Sequence, residues 1–362
     1  MICLNMVVKN ASKVIQKSLA SVRPYIDSWA IVDVGSADGT QRMVYDSLRG
    51  VPGELYERED LGGGNNRNMA MRLAQGKGDY LLFLDADQEF SFSSFAFPPL
   101  EAPCYYAYHR MEHCESLRIL LVKQGLGWHW QGVVHENIYC PGQMPEAKVL
   151  EGARLVSHPP DRERLNEEIR LMQNDPTMFL HLAHANEKLG NQTKALELYE
   201  KKVSIGGAQY EIYYCLLRSA FLKGRLDRPA KDVLESFKQA HLVSPDRAES
   251  YAYLADYLRK RENHVMSYLL LKSVLSLPSP KQYFRVDADL YRFGRLALLA
   301  ECAWRIGRIS ESYDAIEKLL AIEDLPEQIR INMEKNRALK MFDPFRSAYS
   351  IFGGALWQQQ YL

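Results

Sequence analysis

In the stretch GDYLLFLDADQEF, Gly78 to Phe90, four apolar residues, Leu81 to Leu84, run straight into two carboxylates, Asp85 and Asp87. The apolar run asks for burial on both faces. A carboxylate carried to the end of such a run is costly unless a cation or hydrogen-bond donors meet it. Two hard oxygen donors with one residue between them suit Mg²⁺ or Mn²⁺, and a cation of that kind suits a diphosphate. A DxD triplet alone arises by chance. At the end of a strongly apolar strand it carries more weight.

The elements that must position these carboxylates alternate. ICLNMVV is apolar and β-leaning. ASKVIQKSLASV places Val14, Ile15, Leu19 and Val22 on one helical stripe, with Ser12 as a candidate N-cap. SWAIVDV reads as a strand, and SADGTQRMVYDSL as a helix capped by Ser36 or Asp38. GELYERE is a third, more polar strand. NNRNMAMRLAQG is a helix closed by Gly76, and DYLLFLDAD is a fourth strand. Strict alternation predicts a mostly parallel sheet covered on both faces, an α/β fold. In open parallel sheets, ligands bind beyond the carboxyl ends of the strands. Asp33 ends the second strand and Asp85 and Asp87 the fourth, so three carboxylates are expected on one rim. From Cys104 to Pro160 the pattern turns strand-like with little helical period, as expected of an antiparallel-leaning second half of the same domain.

The chain has 362 residues, 47% hydrophobic and 25% charged, with a formal net charge of zero. That length suits two domains. Zero net charge gives no global signature of nucleic-acid or acidic-membrane binding. No apolar run approaches the roughly 20 residues of a membrane span. No basic, apolar leader opens the sequence. Six cysteines are scattered without a CxxC pair, which argues against a zinc knuckle or a disulfide scaffold and for a cytoplasmic protein.

Beyond His158 the chain turns helical and repeats itself. One unit carries Phe179, Ala183, Gly190, Ala195 and Tyr199. The next carries Leu217, Gly224, Ala230 and Phe237. The last carries Ala300, Gly307, Ser312 and Ile316. Gly190 and Gly224 are 34 residues apart, the tetratricopeptide period. Small residues let paired helices approach, and glycine serves a tight turn between them. The unit from Asp246 to Leu277 lacks that glycine. The expected organisation is a catalytic domain over 1–160, an all-α tetratricopeptide-like domain over 161–341, and a tail over 342–362 that nothing in the pattern places.

The segment ICLNMVV through SADGTQ, followed by NNRNMAMRLAQGKGDYLLFLDAD, resembles the family 2 glycosyltransferases with their GT-A fold, over residues 2 to about 160. The attached repeats are similar in layout to the S-linked peptide glycosyltransferases of the sublancin type. The motifs that carry the likeness are IVDVGSADGT, NNRN, LDAD and WQGVVHE. Two positions depart from it: Val34 stands where many members have a second acid, and Ala11 where many of the subgroup have Glu. The resemblance implies a role for each matched residue. Asp33 and Gly35 would hold the donor's base, with uracil expected, and Val7 would line the same pocket. Arg67 would lie near the diphosphate or sugar. Asp85 would contact ribose, sugar or metal. Asp87 would bind Mn²⁺ or Mg²⁺ directly, and His158 is a further metal ligand of the kind related enzymes use. Glu136 is the expected base and His135 the second choice, since inverting transfer needs one group to take the acceptor's proton. Trp128 and Trp130 are candidates to stack on the acceptor, or else fill the core.

The expectation is therefore an inverting, metal-dependent glycosyltransferase using a nucleotide-sugar donor. The alternative is an interaction scaffold whose repeats bind a partner beside a decayed nucleotide-sugar domain. The acceptor is left open between a protein or peptide, a glycan and a modified phage nucleobase. The repeats are expected to orient it or to form a homodimer.

Overall fold

The computed structural model describes residues 1–142, 145–158, 160, 162–280 and 284–339. The expected tail, 342–362, lies outside the described residues. The chain divides into compact units that part after Asp175, the first running Met1–Asp175 and the second starting at Pro176.

The first unit opens with β1 (Ile2–Val8), α1 (Ile15–Val22), β2 (Ser28–Asp33), α2 (Thr40–Ser47), β3 (Gly53–Glu57), α3 (Gly63–Leu73) and β4 (Tyr80–Phe83). It continues with β5 (Gln88–Phe92), β6 (Cys104–Met111), β7 (Cys114–Lys123), β8 (His129–Gln131), β9 (Asn137–Tyr139), β10 (Ala147–Ser157) and α4 (Arg162–Met172). The main sheet runs β3-β2-β1-β4-β7-β6-β10-β5. Its first four strands are parallel, as the alternation predicts. β7 then enters antiparallel to β4, and β8 and β9 pair as a separate small antiparallel ribbon. β3 lies at the sheet's edge, which accounts for its polar composition.

The apolar run that ends at Leu84 divides by strand period. Leu82 and Leu84 enter one core with Ile15, Leu19 and Val44, from α1 and α2. Leu81 and Phe83 enter the other, with Trp128 and Trp130. Both faces are therefore covered, and all four residues are buried.

The second unit pairs α5 (Phe179–Lys188) with α6 (Gln192–Ile205), α7 (Gln209–Arg225) with α8 (Ala230–Val243), α9 (Glu249–Arg259) with α10 (His264–Val274), and α11 (Arg295–Arg305) with α12 (Ile309–Leu320). It ends in α13 (Glu327–Arg337). Ala183, Ala195, Ala300 and Ser312 are fully buried between helices. The inferred turn glycine needs one correction. Gly190 (φ 87°) and Gly307 (φ 80°) occupy the turns, but Gly224 lies inside α7. A Cβ there would lie 3.3 Å from the Tyr257 ring, so Gly224 serves close packing. The equivalent turn positions in the middle pairs are Asp227 (φ 49°) and Glu262 (φ 63°). All four turns close with the same bond, from the next residue's N–H to the carbonyl five back: Asn191 to Asn186, Arg228 to Lys223, Asn263 to Leu258 and Arg308 to Ala303. This is the Schellman end of a helix, which needs a left-handed residue and accepts a non-glycine at some cost.

Candidate functional site

The carboxyl ends of β1 and β2 are joined by side chains that cap backbone. Asn10 N–H donates to Ser36 Oγ (2.8 Å), Ala11 N–H to Thr40 Oγ1 (2.8 Å), and Ser12 N–H to Asp38 Oδ2 (2.9 Å), while Ala37 N–H donates to Asn10 Oδ1 (2.9 Å). Ser12, Ser36 and Asp38, expected as helix caps, lace two loops together. Gly39 rather than Ser36 or Asp38 is the N-cap of α2 and Val14 rather than Ser12 that of α1, while Asp38 Oδ1 still accepts from the N–H of Thr40, the first residue of α2 (3.1 Å). Burial pushes the Asp38 carboxyl up, but the hydrogen bonds from Thr40 and Ser12 prevail and hold it well below the usual range.

Asp33, the last residue of β2, is buried beside this lacing. Its Oδ1 accepts from Gly35 N–H (2.8 Å) and Ser36 N–H (2.7 Å). Gly35 has φ 94°, the left-handed turn that brings both N–H groups back to one oxygen. Asp33 Oδ2 is buried with no hydrogen-bond partner among the described residues. A buried acceptor left in that state is costly, and a ligand N–H would remove the cost.

The NNRN motif opens α3, and three of its residues divide the work. Asn66 holds the approach to the helix, donating to Asp60 Oδ1 (2.7 Å) and accepting from Leu61 N–H (2.8 Å). Asn68 clasps β8 through the Trp130 backbone, donating to its carbonyl (2.8 Å) and accepting from its N–H (2.7 Å). Arg67, between them, turns to the acids. The first residue of α3 crosses the 132–133 backbone so closely that a Cβ on Gly63 would lie 2.1 Å from the Val133 carbonyl oxygen. That crossing fixes where His135 and Glu136 lie relative to Arg67.

Arg67 Nη2 donates to Asp85 Oδ1 (2.8 Å), and its Nε lies 3.5 Å from Glu136 Oε2. Its guanidinium stands 5.0 Å from the centroid of the Trp130 ring. Burial opposes the Arg67 charge, but Asp85 and Glu136 outweigh it and raise its pKa. Asp85 is clamped from the other side by Arg118 Nη2 at 2.8 Å on Oδ2. Burial pushes the Asp85 carboxyl up, yet Arg118 and Arg67 hold it well below the usual range. Asp87 Oδ2 accepts from Arg164 Nη1 at 2.5 Å. Arg164 also lies 3.4 Å from Glu168 on the same helix, α4. His135 Nε2 lies 3.9 Å from Glu168 Oε2, and its backbone takes the left-handed φ of 54°, a strain of the kind found at functional sites.

Asp85, Arg67 and Glu136 are thus brought into one charged cluster, which Arg164 and Glu168 extend to Asp87 and His135. His158 is directed elsewhere, with Nε2 3.2 Å from Glu89 Oε1. Trp128 and Trp130 are core residues, 8% and 7% exposed, rather than the acceptor platform they were candidates for. Trp130 packs edge-on to Phe83 and turns a ring face to Arg67. Val34 and Val7 pack with Val32 and Ala70. Sequence reasoning missed Arg118, Arg164 and Glu168. Arg118 lies on β7, which pairs antiparallel with β4, and its bond to Asp85 depends on that pairing, which is not visible before folding.

For a divalent cation, both Asp85 oxygens are engaged by guanidiniums. Among the described residues no group of three or more His, Cys, Asp or Glu side chains is gathered as a metal-binding set. Mg²⁺ typically takes one or two carboxylates and completes its shell with substrate phosphates and water. Asp87 fits that limited role, in exchange for its contact with Arg164.

Residues 3–96 match the family described as glycosyl transferase family 2. None of the curated proteins matches the chain. Solved structures similar to about half of it include TTC0263, a thermophilic TPR protein from Thermus thermophilus (21% identity, 49% of this chain and 89% of that one, TM-score 0.36). Others are MamA (11% identity, 49% and 88%, TM-score 0.34) and MamA 41-end from Desulfovibrio magneticus RS-1 (15% identity, 49% and 86%, TM-score 0.32).

Proposed function

We propose that this chain, whose residues 3–96 match the family 2 glycosyl transferases, moves a sugar from a nucleoside-diphosphate sugar to an acceptor nucleophile by direct displacement with inversion. The observation that carries the reading is Asp33 Oδ2, a buried acceptor without a partner among the described residues, at the carboxyl end of a parallel strand. It calls for an N–H donor at the place where such sheets bind ligands. Uracil, with its N3–H, answers it, and UDP-sugars are the proposed donors.

In the proposed reaction the acceptor's nucleophilic atom bonds to the sugar's anomeric carbon as the bond to the diphosphate oxygen breaks. The electron pair leaves with the nucleoside diphosphate, and the acceptor's proton passes to the protein. Glu136 is the proposed base, because Arg67 ties its carboxylate to the same cluster that holds Asp85. His135, facing Glu168, is the second candidate. When bound, Mn²⁺ or Mg²⁺ would supply charge neutralisation for the departing diphosphate, with Asp87 as its protein ligand. The repeats are proposed to orient the acceptor, whose class stays open between protein or peptide, glycan and modified nucleobase.

The test is a panel of UDP-sugars with the full chain, scored by UDP release with and without Mn²⁺, on wild type, Asp33→Ala and Asp87→Ala. One UDP-sugar turned over by wild type and lost in Asp33→Ala is the expected result. A full panel without turnover, and without UDP binding, sinks the reading and leaves a scaffold with a decayed domain.

A further inference from the structure

Arg118 has no part in the donor site as assigned so far, which gives the base a partner but the phosphates no protein group beyond Arg67. The sheet order makes a further assignment possible. β2, β1, β4 and β7 are neighbours in that sequence. Asp33 ends β2, Asp85 follows β4, and Arg118 lies on β7 with its Nη2 2.8 Å from Asp85 Oδ2. At about 4.8 Å per strand, Asp85 stands two strands, about 10 Å, from Asp33, and Arg118 about 14 Å. A nucleoside diphosphate laid along the rim from its base at Asp33 crosses β1 with its ribose and brings its phosphates to β4 and β7.

The exposed donors at that end suit an anion, with Asp85 and Glu136 balancing the charges of Arg67 and Arg118. One carboxylate, Asp85, is shared by two guanidiniums, one on each oxygen. Arg67 is mostly buried and divided between Asp85 and Glu136, whereas the Arg118 side chain is 35% exposed. Arg118 meets Asp85 through Nη2 alone. A planar guanidinium anchored on one edge presents its other edge in fixed orientation, the arrangement suited to phosphate oxygens.

We propose that Arg118 binds the diphosphate of the nucleoside-diphosphate donor and of the product, with Asp85 as the anchor that aims it. The proposal rests on the donor-site reading. Its test separates the two by titrating the full chain calorimetrically with UDP and with uridine. Wild type is compared with Arg118→Gln, Arg118→Lys and Asp33→Ala, each checked for an unchanged thermal midpoint. Arg118→Gln is expected to weaken UDP by roughly 10- to 100-fold, the range of one charge-assisted contact, and to leave uridine unchanged. Arg118→Lys, which keeps the charge without the fork, is expected to recover part of the loss. An unchanged UDP affinity in Arg118→Gln, with uridine lost in Asp33→Ala, overturns the proposal and spares the donor site. Equal weakening of UDP and uridine overturns it too, since that is the mark of a collapsed pocket. If wild type binds neither UDP nor any other nucleoside diphosphate, the proposal and the donor-site reading fall together.

Discussion

Asp85 illustrates how a motif residue can be stabilised in an unexpected way. The DxD triplet invites a cation, and the fold supplies two guanidiniums. Removing the carboxylate charge leaves Arg67 and Arg118 facing each other in a largely buried site. Breaking such a pairing costs about 3–5 kcal/mol, so Asp85→Asn is expected to lower unfolding free energy by that order in urea titrations. Glu168 behaves in the opposite sense. Burial raises its pKa above the ordinary 4.5, Arg164 opposes the rise, and Asp87 and Glu136 add to it. Its folded-state pKa therefore exceeds its unfolded value. The stability it contributes is complete below pH 4.5 and is lost as pH rises through the folded value. Glu168→Gln removes that loss. Its thermal midpoint, measured relative to wild type, is expected to gain as pH goes from about 4.5 to about 8. A gap that shrinks over that range would contradict the assignment. Asp33, Arg67 and Glu136 were legible in the sequence because each sits in a local motif. Arg118, Arg164 and Glu168 were not, because nothing local distinguishes them from surface charges.

At the scale of elements, the tetratricopeptide-like pairs show which part of a repeat is chemical identity and which is conformation. Glycine marks the turn at Gly190 and Gly307, but Asp227 and Glu262 adopt the same left-handed backbone with side chains attached. The spacing of glycines was therefore only partly the spacing of turns, and Gly224 belonged to helix packing. Glu262 closes its turn with the same two bonds as Gly307. Relieving its positive φ should outweigh the added chain entropy, so Glu262→Gly is expected to stabilise the protein by about 1 kcal/mol. The check is the denaturation midpoint. A loss of stability would show that the Glu262 side chain makes a compensating contact. The small residues on the helix faces were the more faithful signal, since Ala183, Ala195 and Ala300 are fully buried and Ser312 donates to the Ala300 carbonyl of the preceding helix at 2.7 Å.

At the scale of the molecule, the dividing point matters more than the number of parts. α4 lies within the first compact unit and carries Arg164 and Glu168 to Asp87 and His135. A chain ending at Asp175 keeps these residues, and one ending at Asp161 loses them. The longer piece is expected to bind UDP within a few-fold of the full chain, and the shorter one markedly less. Calorimetry on both decides it, and equal affinities would remove α4 from the donor site. Among the described residues no helix is long and apolar enough to cross a membrane, and no disulfide joins the cysteines.

What the sequence determined by itself was periodic or local. Strand and helix alternation, the burial of Leu81 to Leu84, and the rim position of Asp33 and Asp85 follow from side-chain period and from the chain order of elements. The direction of each charge was decided only by the tertiary structure. Whether Asp85 meets a metal or an arginine depends on the register of β7 against β4. Whether Trp130 faces an acceptor or the core depends on how β8 is clasped by Asn68. These are contacts between residues 33 and 62 positions apart in the chain, and electrostatic pairing at such separations depends on distances that only the packed fold sets.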